Sequence, residues 1–467
     1  MPFYERLNNW IKTSLTLKLA IIGILLLLLM IPTLLIDELI NDRRRLRDAA
    51  QDEVASKFGR EQTFGGPVVS VPFSHNVTNY AADGKAIIST RTGYAHFLPE
   101  DLEIDGELVP EERHRGIFVV VLYNTQFTVT GHFDGFDAAA LDVPEEALRW
   151  EDARFTVGIS DMTGVDDEIM LNFKDSTLNL GPGTVTRDIF NSGANAPINL
   201  DGTEGRTEFS FAINLNGSSG LYFRPFGAKT TVNLESAWPD PSFDGTYLPQ
   251  DYTSAETGFN ANWEVLQLNR NYPQQGTGAF TPRFNNNNRA YPARVEDIEG
   301  PAATYGEDRF GVRLLLPVDE YSKIYRSTNY ALLFIIITFL TFFFIEVLNK
   351  KRVHPIQYLL IGAAVILFYV LLLSISEHQY FDVAYWISAL TITVLITAYS
   401  STVLRNTRLT ALVGGVLLIL YAYFYSLLQL QDFALLVGSV GLLMILATIM
   451  YLTRNIDWYG LNGGGAE

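Results

Sequence analysis

Six apolar runs and one long interval of shorter periodicity set the plan of this chain. The first run, Leu15–Ile36 (LTLKLAIIGILLLLLMIPTLLI), has the roughly 20 residues needed to cross the hydrocarbon of a bilayer as a helix. Five more follow at about 328–348, 356–375, 383–404, 409–430 and 433–452, joined by the short connections NKKRVHP, SEHQYFD, RNTR and QLQD. The pattern predicts six transmembrane helices, one before the long interval and five after it. The first run passes into Ile36-Asp37-Glu38-Leu39-Ile40 without the small-residue site that follows a signal peptide's shorter apolar core. An uncleaved anchor is the reading this supports.

Between the first and second runs the period changes twice. Asp37–Arg60 keeps a helical rhythm, with Leu39, Leu46, Ala50 and Val54 on one side and Arg43, Arg44, Arg45 and Arg47 clustered. A juxtamembrane helix with its arginines near lipid headgroups fits better than a dedicated headgroup site. Gly65-Gly66-Pro67 is expected to end that helix. From Val68 to about Asp319 apolar residues alternate, as in Phe127, Val129, Gly131 and Phe133 against Thr128, Thr130 and His132, which marks strands with one buried face.

Asx-Gly pairs at Asp83-Gly84, Asp105-Gly106, Asp134-Gly135, Asp201-Gly202, Asn216-Gly217 and Asp244-Gly245 suggest hairpin turns. In the densest stretch, Phe209–Pro273, the strand Phe209, Phe211, Ile213, Leu215 enters the Asn216-Gly217 turn and Leu221–Phe223 returns. Thr230, Val232 and Leu234 form another strand, ended by Trp238-Pro239-Asp240-Pro241, because proline donates no ladder bond. Phe259, Ala261, Trp263 and Val265 give a further one. Asn285–Asn288 falls in a long irregular loop. The fold expected is a membrane protein of six helices with a mainly antiparallel, sandwich-like β domain, as one domain or two lobes. The divisions fall at 1–36, 37–326 and 327–467.

Charge sharpens the picture. The chain carries a formal net charge of −17, yet Asp37–Arg326 alone holds 44 acidic and 25 basic side chains, a net of −19. A surface of that sign repels phosphate backbones and disfavours a nucleic-acid partner. There is no cysteine, which removes disulfides, thiolate metal sites and cysteine nucleophiles. Lys350, Lys351, Arg352, Arg405, Arg408 and Arg454 fall on alternate connections or the tail, and Arg6, Lys12 and Lys18 sit at the amino end. By the positive-inside rule both termini are cytoplasmic and the β domain lies outside; Arg43–Arg47 break the pattern, but long loops translocate largely regardless of charge. The lipid bilayer is the first partner implied, in a bacterial inner membrane with a periplasmic domain, and an envelope partner the second.

Candidate chemistry is sparse. His75, His96, His114 and His132 stand singly, without metal-ligand spacing, and His132 on a polar strand face is expected to be solvated. Asp161, Asp166, Asp167 and Glu168 read as a solvated loop, since Ca²⁺-loop spacing is absent. Glu346 stands four residues before Lys350, a spacing for an ordinary ion pair near the interface rather than a proton relay. Glu377 and His378 mark the outer end of the next span. Thr391, Thr393, Thr397, Ser400, Ser401, Tyr421 and Tyr425 read as helix–helix contacts. Trp238, Trp263, Tyr222 and Phe243 are expected in the core rather than on a ligand platform. Arg224 and Arg270 are candidates for a partner contact or an ion pair within the acidic domain. No cofactor, metal or catalytic residue is indicated, which points to a non-enzymatic protein, with a transporter or lipid-handling protein and a cell-wall enzyme as the alternatives.

Several longer strings resemble the CreD family of bacterial inner membrane proteins. They include RHRGIF at 113–118, LNGSSGLYFRPFGAKTTVNLESAWPDPSFDG at 215–245, GFNANWEVLQLNRNYPQ at 258–274, FGVRLLLPVDEY at 310–321 and QYLLIGAAVILFYVLLLSISEH at 357–378. The resemblance implies one anchor, a periplasmic domain and a carboxyl-terminal bundle. It further implies membership of the Cre two-component regulon and a link to envelope integrity and colicin tolerance. It carries over no catalytic residue.

Overall fold

The computed structural model of the chain describes residues 15–80, 86–141, 143–202, 204–282, 308–315, 320–349, 351, 353–430 and 433–454. Arg6, Lys12, Asp83-Gly84, Asn285–Asn288, Lys350 and Arg352 lie outside the described residues. The chain divides into two compact units, Met1–Arg47 with Val318–Glu467, and Asp48–Pro317.

Helix α1, Leu15–Phe58, supplies residues to both units. In the membrane unit it is joined by α2 (Glu320–Asn329), α3 (Ala331–Leu348), α4 (Pro355–Ser376), α5 (Phe381–Leu404), α6 (Thr407–Gln429) and α7 (Ala434–Thr453). Among the described residues six helices, all but α2, are long and apolar enough to cross a membrane. Local chemistry sets their limits. Pro355 opens α4, where its missing N–H costs nothing, and His354 Nδ1 accepts the Ile356 N–H. Arg405 ends α5 at φ +47°, and Asn406 then caps α6 by accepting from Arg408 N and Leu409 N. Phe334, Val365, Leu372, Tyr385, Leu417 and Tyr421 fill the centre of the bundle. The apolar stretches of α1 and α7 are only 11% and 6% buried, so the described residues leave most of their surface uncovered.

The β unit holds two sheets. The first contains β1 (Gln62–Tyr80), β2 (Ala86–Phe97), β5 (Arg154–Ile159), β8 (Gly181–Pro182) and β9 (Gly193–Pro197), with β11 (Gly220–Phe223), β13 (Pro241–Gly245), β16 (Gln275–Thr277) and β17 (Phe310–Leu314). Its order is β13-β17-β11-β1-β5-β9-β8, with β2 also on β1 and β16 on β2. The second contains β3 (Asp101–Arg115), β4 (Phe118–Asp134), β6 (Met170–Phe173), β7 (Ser176–Asn179) and β10 (Arg206–Ser218), with β12 (Lys229–Ser236), β14 (Asp251–Ala255) and β15 (Gly258–Leu266). Its order is β14-β15-β12-β3-β4-β10-β6-β7. Pairing is antiparallel except for β1 with β11 and β3 with β12. Both sheets contribute to one core: Phe64 and Phe127 rings lie 5.1 Å apart, and Phe155 and Phe211 5.9 Å. The β region is one packed body.

Three local expectations fail for physical reasons. Helix α1 ends before Gly65-Gly66-Pro67, at Gly59, whose φ of +143° no side-chain-bearing residue adopts easily. Gly65 to Val68 instead forms an irregularity inside β1, where its register on β5 shifts. Asp105-Gly106 and Asn216-Gly217 are not turns but lie within β3 and β10, each paired residue by residue with β4. Their glycines answer to close packing: a Cβ on Gly106 would stand 2.7 Å from Phe127 Cβ, and one on Gly217 would overlap the Tyr123 hydroxyl. Gly135, Gly202 and Gly245 take positive φ, but Asp244-Gly245 too lies within a strand, with Gly245 closing β13 opposite Phe310. Leu221–Phe223 does not return beside β10. The chain crosses at Ser219 (φ +65°) into the other sheet, where β11 runs parallel to β1.

Candidate functional site

Glu346 lies in the last turn of α3 with only 5% of its side chain exposed. Its Oε1 accepts from Lys18 Nζ at 2.6 Å and from Val353 N at 3.3 Å, and its Oε2 from Tyr358 OH at 3.2 Å. Lys350, the partner expected from spacing, lies outside the described residues; the cation found on Glu346 comes from α1. A carboxylate taken out of water demands such a set, since an unpaired ion there costs several kcal/mol.

At the opposite end of α4, Glu377 is 11% exposed and its Oε1 stands 3.2 Å from Arg43 Nε. His378 is exposed, its Nδ1 3.4 Å from Ser374 O. Arg44 lies over the Tyr325 ring at 5.2 Å. Asp37 accepts from Thr328 Oγ1 at 2.7 Å. Arg43 and Arg44 thus meet protein partners within the membrane unit.

In the β unit the candidates turn inward. Trp238 is 6% exposed and donates its indole N–H to Leu315 O at 3.0 Å. Trp263 and Tyr222 are buried and Phe243 half-buried, with Phe243 and Trp263 rings 5.6 Å apart, so these aromatics are core. Arg224 is 4% and Arg270 7% exposed, so neither is presented to a partner. Arg224 donates to Pro282 O at 2.6 Å. Arg270 Nη2 donates to the carbonyls of Phe226 and Gly227, both at 3.2 Å, and to Gln274, while its guanidinium lies 4.3 Å over Tyr272. Burial pushes the Arg270 guanidinium below its ordinary range and the Tyr272 hydroxyl up to about 12. Both arginines fasten loop carbonyls.

A constellation that motif spacing did not disclose joins β1, β2 and the segment before β9. Ser70 Oγ lies 2.8 Å from His96 Nδ1, and His96 Nε2 lies 3.2 Å from Asp188 Oδ2. The His96 hydrogen bond holds the Asp188 carboxyl below the usual range against the opposing effect of burial. The residue types are those of a nucleophile, base and orienting acid. The geometry is not: Ser70 is 3% and His96 1% exposed, Ser70 sits mid-strand, and Tyr94 and Phe280 stack on the imidazole. No substrate carbonyl reaches Ser70. The one signal in the sequence was the unbroken apolar setting Tyr94-Ala95-His96-Phe97-Leu98, which argues for a strand buried on both faces. His75 and His114 are exposed and His132 half-buried.

In the acidic loop Asp166, Asp167 and Glu168 are exposed, and Asp161 is half-buried. Asp161 caps the turn Met162–Gly164 by accepting from Thr163 N. Among the described residues no group of three His, Asp or Glu is placed to hold a metal.

What remains open is the outer face of the second sheet. Asp105, Asn233 and Asn262 stand in one cross-strand row, with Asn233 Nδ2 donating to Asp105 Oδ1 at 2.7 Å and Asn262 donating to Asn233. Gln126 and Thr128 on β4 line two hollows of about 430 and 440 Å³, one toward Asn172 and Asn214, the other toward Glu107 and Glu235. Both linings are mainly carboxylates, amides and hydroxyls, with Met170 and Ala212 exposed among them in the first and the buried Phe211 and Leu234 beneath.

Comparison with known proteins bears on this arrangement. A family described as inner membrane protein CreD matches residues 14–459. The chain belongs to the CreD family. It is 30% identical to the inner membrane protein CreD of Escherichia coli (strain K12) over 454 residues, covering 97% of this chain and 95% of that protein. It is accordingly a multi-pass inner membrane protein of a family without a recognised enzymatic activity, and its six apolar helices and β unit agree with that.

Proposed function

We propose that this CreD-family protein is a non-enzymatic component of the envelope stress response, with its β unit in the periplasm and both termini in the cytoplasm. The observation that supports it most is how the chemistry of the β unit is spent. Arg224, Arg270, Trp238, Ser70 and His96 are buried and bonded inside the fold, with the half-buried Asp188 tied to His96, whereas the polar face around Gln126 and Thr128 is open. An open face of hydrogen-bonding groups suits recognition rather than a reaction, which needs converging acid, base or nucleophile in a cleft. The cations Lys351, Arg405, Arg408 and Arg454 at one end of the spans support this orientation.

Photo-crosslinking in cells tests it. A photoreactive residue at Thr128 is expected to give a discrete adduct that changes with envelope stress, and one at Leu268, which is 94% exposed elsewhere, is not. Turnover of a cell-wall or lipid substrate by the purified protein, abolished by one side-chain change, would overturn the reading.

A further inference from the structure

We infer that the membrane unit carries a seat for one anionic phospholipid, its acyl chain in an apolar cleft between α3, α6 and α7 and its phosphate among Lys351, Arg408 and Arg454. This rests on the membrane embedding alone and not on what the β unit does.

The cleft has a volume of about 580 Å³ and is lined by Phe344, Leu348, Val416, Met444 and Ile449 among others, almost all apolar. At one end of it α7 is fastened to α6. Tyr423 on α6 donates to Val437 O at 2.7 Å, and Gly441 gives that ring room, since a Cβ there would overlap the hydroxyl. The cleft begins at Gly441 and Tyr423 and runs to Leu452 and Asn349. Eleven residues of helix span about 16 Å. That is close to half of a ~30 Å hydrocarbon layer, the depth of a single leaflet.

The occupant follows from the surroundings. Leu412, Ile419 and Met444 line the cleft and are 49%, 71% and 56% exposed, so the cleft is continuous with the surface that faces the bilayer. An apolar space open to lipid tails is filled by one.

Charge enters at the end away from Gly441. Lys351 lies two residues beyond the lining residue Asn349, Arg408 one before Leu409, and Arg454 two beyond Leu452, and all three are exposed. Three helices that form the cleft thus each end it with a cation. Among the described residues the acid nearest in sequence, Glu346, is buried and held by Lys18 and Tyr358; Asp457, three positions beyond Arg454, lies outside them. A phosphate headgroup at that interface is attracted by each neighbouring Lys or Arg.

The test is native mass spectrometry of the full chain, delipidated in detergent and offered phosphatidylglycerol or phosphatidylcholine with the same tails. One phosphatidylglycerol per protein is expected, retained about tenfold over phosphatidylcholine. Val416→Trp should remove retention of both lipids while the melting temperature holds. Met444→Trp, at an exposed position, serves the same end if Val416→Trp lowers the folded yield. Arg408→Gln with Arg454→Gln should keep retention but bring the two lipids to parity. Equal retention of both lipids by the unaltered chain, or full retention by the folded Trp variants, would overturn the proposal.

Discussion

Lys18 Nζ and Glu346 Oε1 stand 2.6 Å apart across 328 positions of sequence, tying the first membrane helix to the end of α3. The carboxylate is 5% exposed and the ammonium 31%, so solvent reaches the pair from the lysine side only. Removing one partner of a fully buried pair costs about 3–5 kcal/mol. With the partial exposure of Lys18, a loss of about 1–3 kcal/mol is expected for Lys18→Met or Glu346→Gln. The two changes together should cost less than their sum, read as thermal melts of the four proteins in one detergent. Strict additivity would show that the contact contributes nothing.

Gly217→Ala tests the reading of an Asx-Gly pair as a packing site. The added methyl meets the Tyr123 hydroxyl, which donates to Gly220 O at 2.7 Å. Overpacking of this kind costs about 1–3 kcal/mol. Tyr123→Phe should relieve part of that cost in the double variant, measured again by melting. If Gly217→Ala were harmless alone, the close approach would have no energetic weight.

That pair shows where sequence reading succeeds and stops. The six spans were legible because a bilayer imposes a length and a composition that nothing else in the chain satisfies. The strands were legible because Phe209, Phe211, Ile213 and Leu215 alternate as one buried face requires. The strand pairing was not. Asn216-Gly217 has the composition of a turn, and only the tertiary approach of Tyr123 explains the glycine. Lys18–Glu346 and Ser70–His96–Asp188 were invisible for a related reason: their members lie on different elements, and no local period links them. Lys350 was the partner nearest in sequence to Glu346, and spacing along one helix could suggest no other.

Arg270 provides a test of a buried cation that serves the fold. Its guanidinium holds two carbonyls and Gln274 while stacked on Tyr272. Arg270→Met should lower stability by about 2–4 kcal/mol, since it leaves buried acceptors unpaired. Arg270→Lys should recover little, because an ammonium lacks the planar fork and the stacking face. Full recovery by lysine would show that charge alone is what matters there.

Acid sensitivity should pass through Asp188. Its carboxyl is held below the ordinary range chiefly by the His96 hydrogen bond, so the ionised form stabilises the native state. That contribution is present above the unfolded value, about 3.9, and fades as pH falls through the lower folded value. Asp188→Asn should therefore melt below the unaltered protein at neutral pH, with the gap closing as pH drops below about 4. A gap that stays constant with pH would rule out the ionised carboxylate as its source. Ser70→Ala should leave the Thr128 crosslinks unchanged, which separates a structural serine from a nucleophile.

The account stands on the β unit working outside the membrane. The chain has no cysteine, so a single introduced one reports its side without background. In intact cells with a permeabilised outer membrane, Leu268→Cys should react with a membrane-impermeant maleimide, and Lys351→Cys should react only after lysis. Reaction of Lys351→Cys in intact cells, with Leu268→Cys protected, would contradict it.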